Sequence, residues 1–222
     1  MPITPLSVMP QNLRELADGY ITMRCRYQSA LREVRTKLEI LDDEFQTRHS
    51  RNPIHHMESR IKSPQSIAQK LARKGLPLTP QAAMDNLNDI AGIRVVCAYL
   101  NDTYAIGRLL TSQDDIRLLK TRDYIASPKP NGYRSLHLIV QVPIFLSDGK
   151  RLLPVEVQIR TIAMDFWASL EHQLRYKETA QVPEELNSQL CEAAERIAVL
   201  DGDMQHIHDQ MMEISNRIDT LK

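Results

Sequence analysis

Apolar side chains in the N-terminal part of the chain recur at alternating intervals of four and three residues. The series consists of Tyr27, Leu31, Val34, Leu38, Leu41 and Phe45. This spacing places these side chains on one stripe of an α-helix. It predicts a long helix over residues 11–47, and we expect the apolar stripe to serve packing.

The C-terminal part shows the same alternation more strictly. The residues of this C-terminal seam are Ile197, Leu200, Met204, Ile207, Met211, Ile214, Ile218 and Leu221. The pattern predicts a helix that begins near Pro183 and needs a partner helix along the seam. Two partners fit: the N-terminal helix of the same chain, or a second copy of the protein in a homo-oligomer.

The central part alternates between helical and strand-like patterns. Ser63 followed by Pro64 is a typical helix start, and Gly75 is a typical stop. The other predicted elements are a strand over 93–99, a helix over 104–111, a strand over 135–142, a turn over 147–150, a strand over 153–160 antiparallel to the preceding one, and a helix over 161–176. Together they predict an α+β fold with a mixed β-sheet.

The composition limits the classes of function. With 222 residues, of which 42% are hydrophobic, the chain is large enough for one catalytic domain with helical extensions. It contains no apolar run of membrane-spanning length and no signal-peptide pattern, so we expect a cytoplasmic protein without a membrane partner. Its three cysteines are widely separated, which argues against a disulfide framework. Basic and acidic residues both number 28, so the overall charge does not favour nucleic-acid binding.

The local distribution of charge is more informative. Between Arg60 and Lys74 the charged residues are all basic: Arg60, Lys62, Lys70, Arg73 and Lys74. Ser66, Lys70 and Lys74 share one face of the predicted helix. A helix N-terminus flanked by Arg60 and Lys62 offers the free N–H donors and the positive charge that a polyphosphate requires. The alternative is an ordinary solvated basic surface.

Two predicted strands each carry polar side chains on a single face. The polar residues are Ser135, His137 and Gln141 on the first strand and Glu156, Gln158 and Arg160 on the second. Polar groups of different character on one sheet face indicate a binding site. The alternative for His137, taken alone, is a hydrogen-bonded structural histidine.

Asp89 precedes the first predicted strand. Together with Glu156 it would supply the two carboxylates that Mg²⁺ accepts beside substrate phosphates, provided that the two strands are neighbours. The alternative for Asp89 is a turn-capping role.

The loop over 128–135 contains proline and glycine and leads into the strand of His137. In this loop, Lys129 could meet a phosphate and Tyr133 could stack on a base. The alternative is a plain hairpin loop.

Six segments resemble, in order and spacing, the synthetase domain of the RelA/SpoT-like alarmone enzymes. They are Arg60-Ile61-Lys62-Ser63-Pro64 with Ser66 and Lys70, Asp89 to Arg94, Arg122 to Ile125, Lys129 to His137, Glu156 to Thr161, and Phe166 to His172. The resemblance covers residues 50–180. It implies a nucleotidyltransferase-like sheet of about five strands in a synthetase domain over 51–180, with an N-terminal helical extension over 1–50 and a C-terminal helix over 181–222.

The resemblance also implies a reaction and a set of residues. The β,γ-pyrophosphate of ATP would pass to the 3′-hydroxyl of GDP or GTP and AMP would leave, with Mg²⁺ held by Asp89 and Glu156 and with Glu156 as general base. ATP would be bound by Arg60, Lys62, Ser66, Lys70, Arg94 and, against adenine, Arg122. The acceptor GDP or GTP would be bound by Lys129, Asn131, Tyr133, His137, Gln158, Arg160 and Asp165, with Tyr133 stacked on guanine.

Asp165 departs from one branch of the small synthetases, in which the matching residue is an asparagine that contacts guanine. An aspartate can accept hydrogen bonds from guanine N1–H and from the exocyclic amine, so the resemblance still implies guanine specificity.

The same branch of small synthetases forms a tetramer, and we expect a homo-oligomer here. We expect no hydrolase activity, because about 50 residues precede the synthetase segment and the sole His-Asp pair, His208-Asp209, lies in the C-terminal seam helix.

Two other classes of function remain as alternatives. A toxin-like relative would modify the 3′ end of tRNA or make adenosine alarmones, but the balanced charge and the Tyr133 loop disfavour both. A non-catalytic module would bind nucleotides or single-stranded RNA in the same basic groove. Such a module would have no need of the pair of carboxylates formed by Asp89 and Glu156.

Overall fold

The computed structural model describes residues 11–177 and 183–219. Helix α1 spans Gln11–His49 and contains the whole predicted helix. Its apolar stripe is buried from Tyr27 to Leu41, with Tyr27, Val34 and Leu38 fully enclosed, and Phe45 at its end is half-buried. The stripe packs against one face of a β-sheet and forms the main core with it. The predicted packing role of this helix is therefore confirmed.

Five strands form one mixed sheet. They are β1 (Ile54–Ile61), β2 (Ala91–Cys97), β3 (Arg117–Asp123), β4 (Leu136–Leu146) and β5 (Gly149–Thr161). Their order across the sheet is β1-β2-β5-β4-β3. The central strands β2 and β5 are parallel, and the other neighbours are antiparallel. The predicted α+β class is confirmed, as is the antiparallel pairing of β4 with β5.

The short basic helix α2 (Pro64–Arg73) begins where the sequence predicts. The side-chain oxygen of Ser63 accepts a hydrogen bond from the Ser66 backbone N–H at 3.2 Å, which satisfies one of the free donors of the first turn. Gly75 follows the helix with φ of 66°, a left-handed conformation that glycine adopts without strain. Ile67 and Leu71 are buried beneath the helix, so its lysines remain on the polar side.

Three elements have no counterpart among the patterns described above. They are β1, β3 and a seven-residue helix α3 (Pro80–Asn86). Only Ile54 is buried in β1, and no residue of β3 is. Both strands lie at the edges of the sheet. Because an edge strand needs little apolar surface when its backbone pairs with a neighbour, their sequences carry no alternating apolar signal.

Two helices complete the described fold around α4 (Leu100–Thr111): α5 (Ile162–Lys177) and α6 (Glu184–Asp219). Helix α6 packs mainly against α5 and α4, whereas α1 packs against the sheet, α3 and α4. The interpretation that pairs the C-terminal seam with the N-terminal helix is therefore wrong. The described seam residues beyond Ile197 are exposed: Leu200, Met204, Ile207, Met211 and Ile214. The Ile218 side chain and Leu221 lie outside the described part of the chain.

The described helices include none that is long and apolar enough to cross a membrane.

Candidate active site

The sheet face opposite α1 is polar. Alternation along each strand turns its polar residues to this side, and the strand register aligns them across the sheet. One row consists of Glu58, Arg94, Gln158, His137 and Arg122, and the adjacent row of Arg60, Gly92, Glu156, Ile139 and Lys120. The predicted polar face is thus present, and it extends over all five strands.

A cavity of about 340 Å³ opens on this face beside α2. Its lining residues are Lys70, Lys74, Asn86, Leu87, Asn88, Asp89, Lys120, Arg122, His137, Ile139 and Glu156. Asp89 and Glu156 therefore face one space. The sequence prediction required the strands next to Asp89 and around Glu156 to be neighbours. This requirement is met, because β2, which follows Asp89, pairs with β5, which contains Glu156.

Asp89 is held by two lysines. Lys62 and Lys70 both donate to its Oδ2, the latter at 2.6 Å. Burial by itself would raise the pKa of Asp89, but these hydrogen bonds and charges outweigh it, so the pKa lies below its ordinary value. The other oxygen, Oδ1, is buried and has no hydrogen-bond partner among the described residues.

Glu156 is held by its neighbours on the sheet. Gln158 Nε2 donates to its Oε2 at 2.8 Å, and His137 Nδ1 lies 3.5 Å from its Oε1. Burial and the nearby charge of Asp89 favour the neutral carboxyl, but the hydrogen bonds from His137 and Gln158 prevail and lower the pKa of Glu156. Both carboxyls are therefore ionised at neutral pH.

The two carboxylates fit a divalent cation. Mg²⁺ is bound through one or two carboxylates together with substrate phosphates, and Asp89, which lines the cavity, has one buried acceptor oxygen, Oδ1, without a partner among the described residues. Within the described ranges, no group of three or more His, Cys, Asp or Glu side chains could hold a metal. The site thus suits a metal that substrate phosphates help to bind.

The aromatic residues form a cluster next to Glu156. The Tyr133 hydroxyl lies 2.8 Å from His137 Nε2 and accepts a hydrogen bond from Arg160 Nη2 at 2.6 Å. The ammonium group of Lys129 lies 4.4 Å from the Tyr133 ring centroid and 4.7 Å from that of Tyr124. Through His137, the cluster places aromatic rings and a cation beside Glu156.

Known proteins are similar to this chain in sequence and in fold. Residues 59–181 match the model of the region found in RelA / SpoT proteins. The chain belongs to this family. It is 45% identical to GTP pyrophosphokinase YwaC of Bacillus subtilis (strain 168) over 185 residues, which cover 83% of this chain and 88% of that protein.

Solved structures of small alarmone synthetases are similar to the chain as well. Small alarmone synthetase 2 from Bacillus subtilis superposes with a TM-score of 0.78 at 42% identity, over 86% of this chain and 98% of that one. Small alarmone synthetase 1 from the same organism, bound to its product pppGpp, gives 0.76 at 35% identity, over 83% and 93%. The predicted family and enzyme class are confirmed.

The basic residues implied by the RelA/SpoT resemblance fall into two groups. Lys70 and Arg122 line the main cavity. Lys62 does not line it but donates a hydrogen bond to Asp89, which does. Arg60 and Arg94 instead line a smaller neighbouring pocket with Glu58, Gly92, Ile93 and Gln158. Ser66 lies in the first turn of α2, where its hydroxyl accepts from Ser63 at 2.9 Å.

The remaining residues of the implied acceptor set, Asp165, Asn131 and Gln158, all form hydrogen bonds within the protein. Asp165 Oδ1 accepts from Arg160 at 3.1 Å and lies 3.5 Å from Arg94 Nε, while Arg94 Nη1 donates to Glu58 at 3.0 Å. The side-chain amide of Asn131 donates to Glu171 at 3.1 Å. This bond connects the loop that carries Tyr133 to helix α5. Gln158 bridges Glu156 and Arg160.

The cavity contains cations and amides that the RelA/SpoT resemblance does not assign. They are Lys74, Asn86, Asn88 and Lys120. Lys74 belongs to the basic face visible in the sequence. Lys120 lies two residues before Arg122 on the edge strand β3, so recognising the strand would have placed both on one face.

Proposed function

We propose that this protein transfers the β,γ-pyrophosphate of ATP to the 3′-hydroxyl of GDP or GTP and releases AMP. The proposal is carried by one observation: Asp89 and Glu156 face a single cavity that lies between the lysines of α2 and the cluster around Tyr133. This arrangement supplies charge for a polyphosphate on one side and an aromatic ring for a base on the other.

The donor ATP would bind along α2. Lys62, Lys70 and Lys74 would neutralise its phosphates, and the positive end of the α2 dipole lies in the first turn, which contains Ser66. Arg122, exposed on β3, would stack on the adenine. Arg60 and Arg94 would extend the phosphate site along the sheet. Lys62 and Lys70 both pair with Asp89, so an ATP phosphate would compete with this carboxylate for the two lysines.

The acceptor would lie on the Tyr133 side, with its 3′-hydroxyl directed at Glu156. Tyr133 would stack on guanine and Asp165 would accept from its N1–H and exocyclic amine, while Lys129, Asn131, His137 and Gln158 surround the rest of the nucleotide. Glu156 accepts the hydroxyl proton as the oxygen attacks the β-phosphorus in line with the departing AMP oxygen. Asp89 and Glu156 would hold Mg²⁺, which when bound neutralises developing phosphate charge.

The test is product analysis after incubation with ATP, Mg²⁺ and one of GDP, GTP, AMP or tRNA. We expect AMP and a 3′-pyrophosphorylated guanosine nucleotide from GDP and GTP only. Glu156→Gln should reduce turnover by at least about a hundredfold with ATP affinity retained, whereas Glu39→Gln, in an exposed pair with Arg35 on α1, should be normal. Product from AMP or tRNA, or undiminished turnover of Glu156→Gln, would contradict the proposal.

We further propose that the enzyme acts in the cytoplasm, where ATP and GTP are available. We also propose that it forms a homo-oligomer, and we expect a tetramer. The support is the exposed apolar seam of α6, for which Met204 and Ile207 are 46% and 50% exposed. Light scattering should give the mass of an oligomer. Ile207→Lys should reduce that mass, and Phe145→Lys, at an exposed apolar residue outside the seam, should not; an unchanged mass for Ile207→Lys would refute the role of the seam.

A further inference from the structure

Arg160 lies near the end of β5, and only 6% of its side chain is exposed. Its guanidinium group bonds entirely within the protein: Nη1 to Asp165 Oδ1 at 3.1 Å, and Nη2 to the Tyr133 hydroxyl at 2.6 Å and to Gln158 Oε1 at 3.2 Å. Its Nε is buried as well, without a hydrogen-bond partner in the described chain. A side chain so enclosed is poorly placed to clamp the phosphates of a nucleotide in the cavity.

The same contacts hold Tyr133. Its hydroxyl accepts the bond from Arg160, which leaves the hydroxyl proton for His137 Nε2, 2.8 Å away. The Arg160 guanidinium carbon lies 4.9 Å from the ring centroid. The ring is therefore fixed by a buried cation, whereas its other cationic neighbour, Lys129, is exposed and free to make way for a base.

We propose that Arg160 is a positioning residue, which sets the orientation of the Tyr133 ring, and not a ligand of the acceptor nucleotide. The inference rests on the proposed function, in which Tyr133 stacks on guanine. Asp165 then acts as the counter-ion that permits Arg160 to remain charged while buried. This replaces the ligand role that the family resemblance implies for Arg160.

The physical advantage is preorganisation. A tyrosine free to rotate loses side-chain entropy when a base stacks on it, and a ring held beforehand does not. Arg160 is suited to this task because its rigid, forked guanidinium can bond Asp165 and the Tyr133 hydroxyl together. A lysine has a single ammonium group and cannot reproduce that geometry.

The experiment compares Arg160→Lys, Tyr133→Phe and the double variant in GDP binding, measured by calorimetry without ATP. Tyr133→Phe keeps the ring but removes the hydroxyl. We expect each single variant to weaken GDP binding about five- to tenfold, and the double variant to be no weaker than either by more than about twofold. ATP affinity should change by less than about twofold, and the KM for GDP should rise more than kcat falls.

The control is Arg151→Lys, at an exposed arginine of the same strand that is paired with Asp148; it should bind GDP normally. The inference is overturned if the two effects multiply in the double variant, because Arg160 would then act independently of the Tyr133 hydroxyl. It is also overturned if the loss caused by Arg160→Lys grows from GMP to GDP to GTP, because that trend means direct contact with phosphates.

Tyr133→Phe keeps the inference testable even if Arg160→Lys does not fold, because GDP binding by Tyr133→Phe equal to the wild type would overturn it. Binding is measured apart from turnover. A wild-type protein that binds GDP but forms no product would therefore contradict the proposed function and leave these measurements valid.

Discussion

Lys70 donates a hydrogen bond to Oδ2 of Asp89 over 2.6 Å. The residue that we expect to bind ATP phosphate thus already touches the residue that we expect to bind Mg²⁺. Asp89→Asn would remove the metal-binding charge and release Lys62 and Lys70 from their anion. We expect turnover to fall at least about a hundredfold, while ATP binding without Mg²⁺ stays equal or becomes tighter.

Product chromatography and calorimetry measure the two quantities separately. The control is Asp85→Asn on α3, an exposed carboxylate bonded to Gln81 one helical turn earlier, which should leave both unchanged. Weaker ATP binding by Asp89→Asn without Mg²⁺ would show that the lysines depend on Asp89 for their placement.

The carboxyl pair should influence the acid stability of the protein. The folded pKa values of Asp89 and Glu156 lie below the ordinary values of 3.8 and 4.5. Each carboxylate therefore stabilises the fold above its unfolded pKa, and this contribution is lost as the pH falls through the folded pKa. We expect the melting temperature to be insensitive to these groups above about pH 6 and to fall below about pH 4.

Thermal unfolding as a function of pH tests this dependence. Asp89→Asn lacks one of the two titrating groups, so its melting temperature should decline less steeply in acid than that of the wild type. Identical slopes for the two proteins would eliminate Asp89 as a source of acid sensitivity.

Asp201 on α6 has the opposite behaviour. It is 7% exposed and accepts a hydrogen bond from the Thr161 hydroxyl at 2.6 Å. Burial raises its pKa, and the bond from Thr161 offsets this only in part. Its contribution to stability is therefore complete below the unfolded pKa and is lost as the pH rises through the folded pKa.

An uncharged side chain should consequently stabilise the protein at neutral pH. Asp201→Asn retains an oxygen that can accept from Thr161, and we expect its melting temperature to exceed that of the wild type by about 1–4 °C at pH 7. The gain should shrink as the pH approaches 3.8, the ordinary value for aspartate. Asp203→Asn, at an exposed position of the same helix, should show no gain; a lower melting temperature for Asp201→Asn at pH 7 would contradict the argument.

Gly132 allows the Tyr133 loop to lie against α6. Its φ is 85°, and a Cβ atom there would lie 2.6 Å from Cβ of Ala194. Gly132→Ala would strain the backbone by about 1–3 kcal/mol and push the loop away from the helix. We expect the KM for GDP to rise at least about tenfold, with less than a twofold change for ATP.

Steady-state kinetics with each substrate varied in turn provides the measurement. Gly202→Ala is the matched control, because Gly202 lies in α6 with nothing within 4 Å of the added Cβ. That substitution should retain activity and raise stability by about 1 kcal/mol. Equal increases in both KM values for Gly132→Ala would indicate general damage to the fold.

The sequence by itself determined the elements whose signals are local. The apolar stripe of α1, the cap and stop of α2, and the alternation along β4 and β5 all follow from residues close together in the chain. It also determined the candidate carboxylates, Asp89 and Glu156, because six short segments in fixed order resemble one family. The sides to which Gln158 and His137 point follow from strand alternation alone.

Only the tertiary structure decided the rest. The strands β1 and β3 form because their backbones pair with the edges of an existing sheet, and the packing of α6 depends on surfaces distant in sequence. The register that brings Arg122 beside His137 depends on those pairings. Arg160 has an alternating, outward-facing position in the sequence pattern, yet the fold encloses it between Asp165 and Tyr133, since only folding determines which side chains surround a residue.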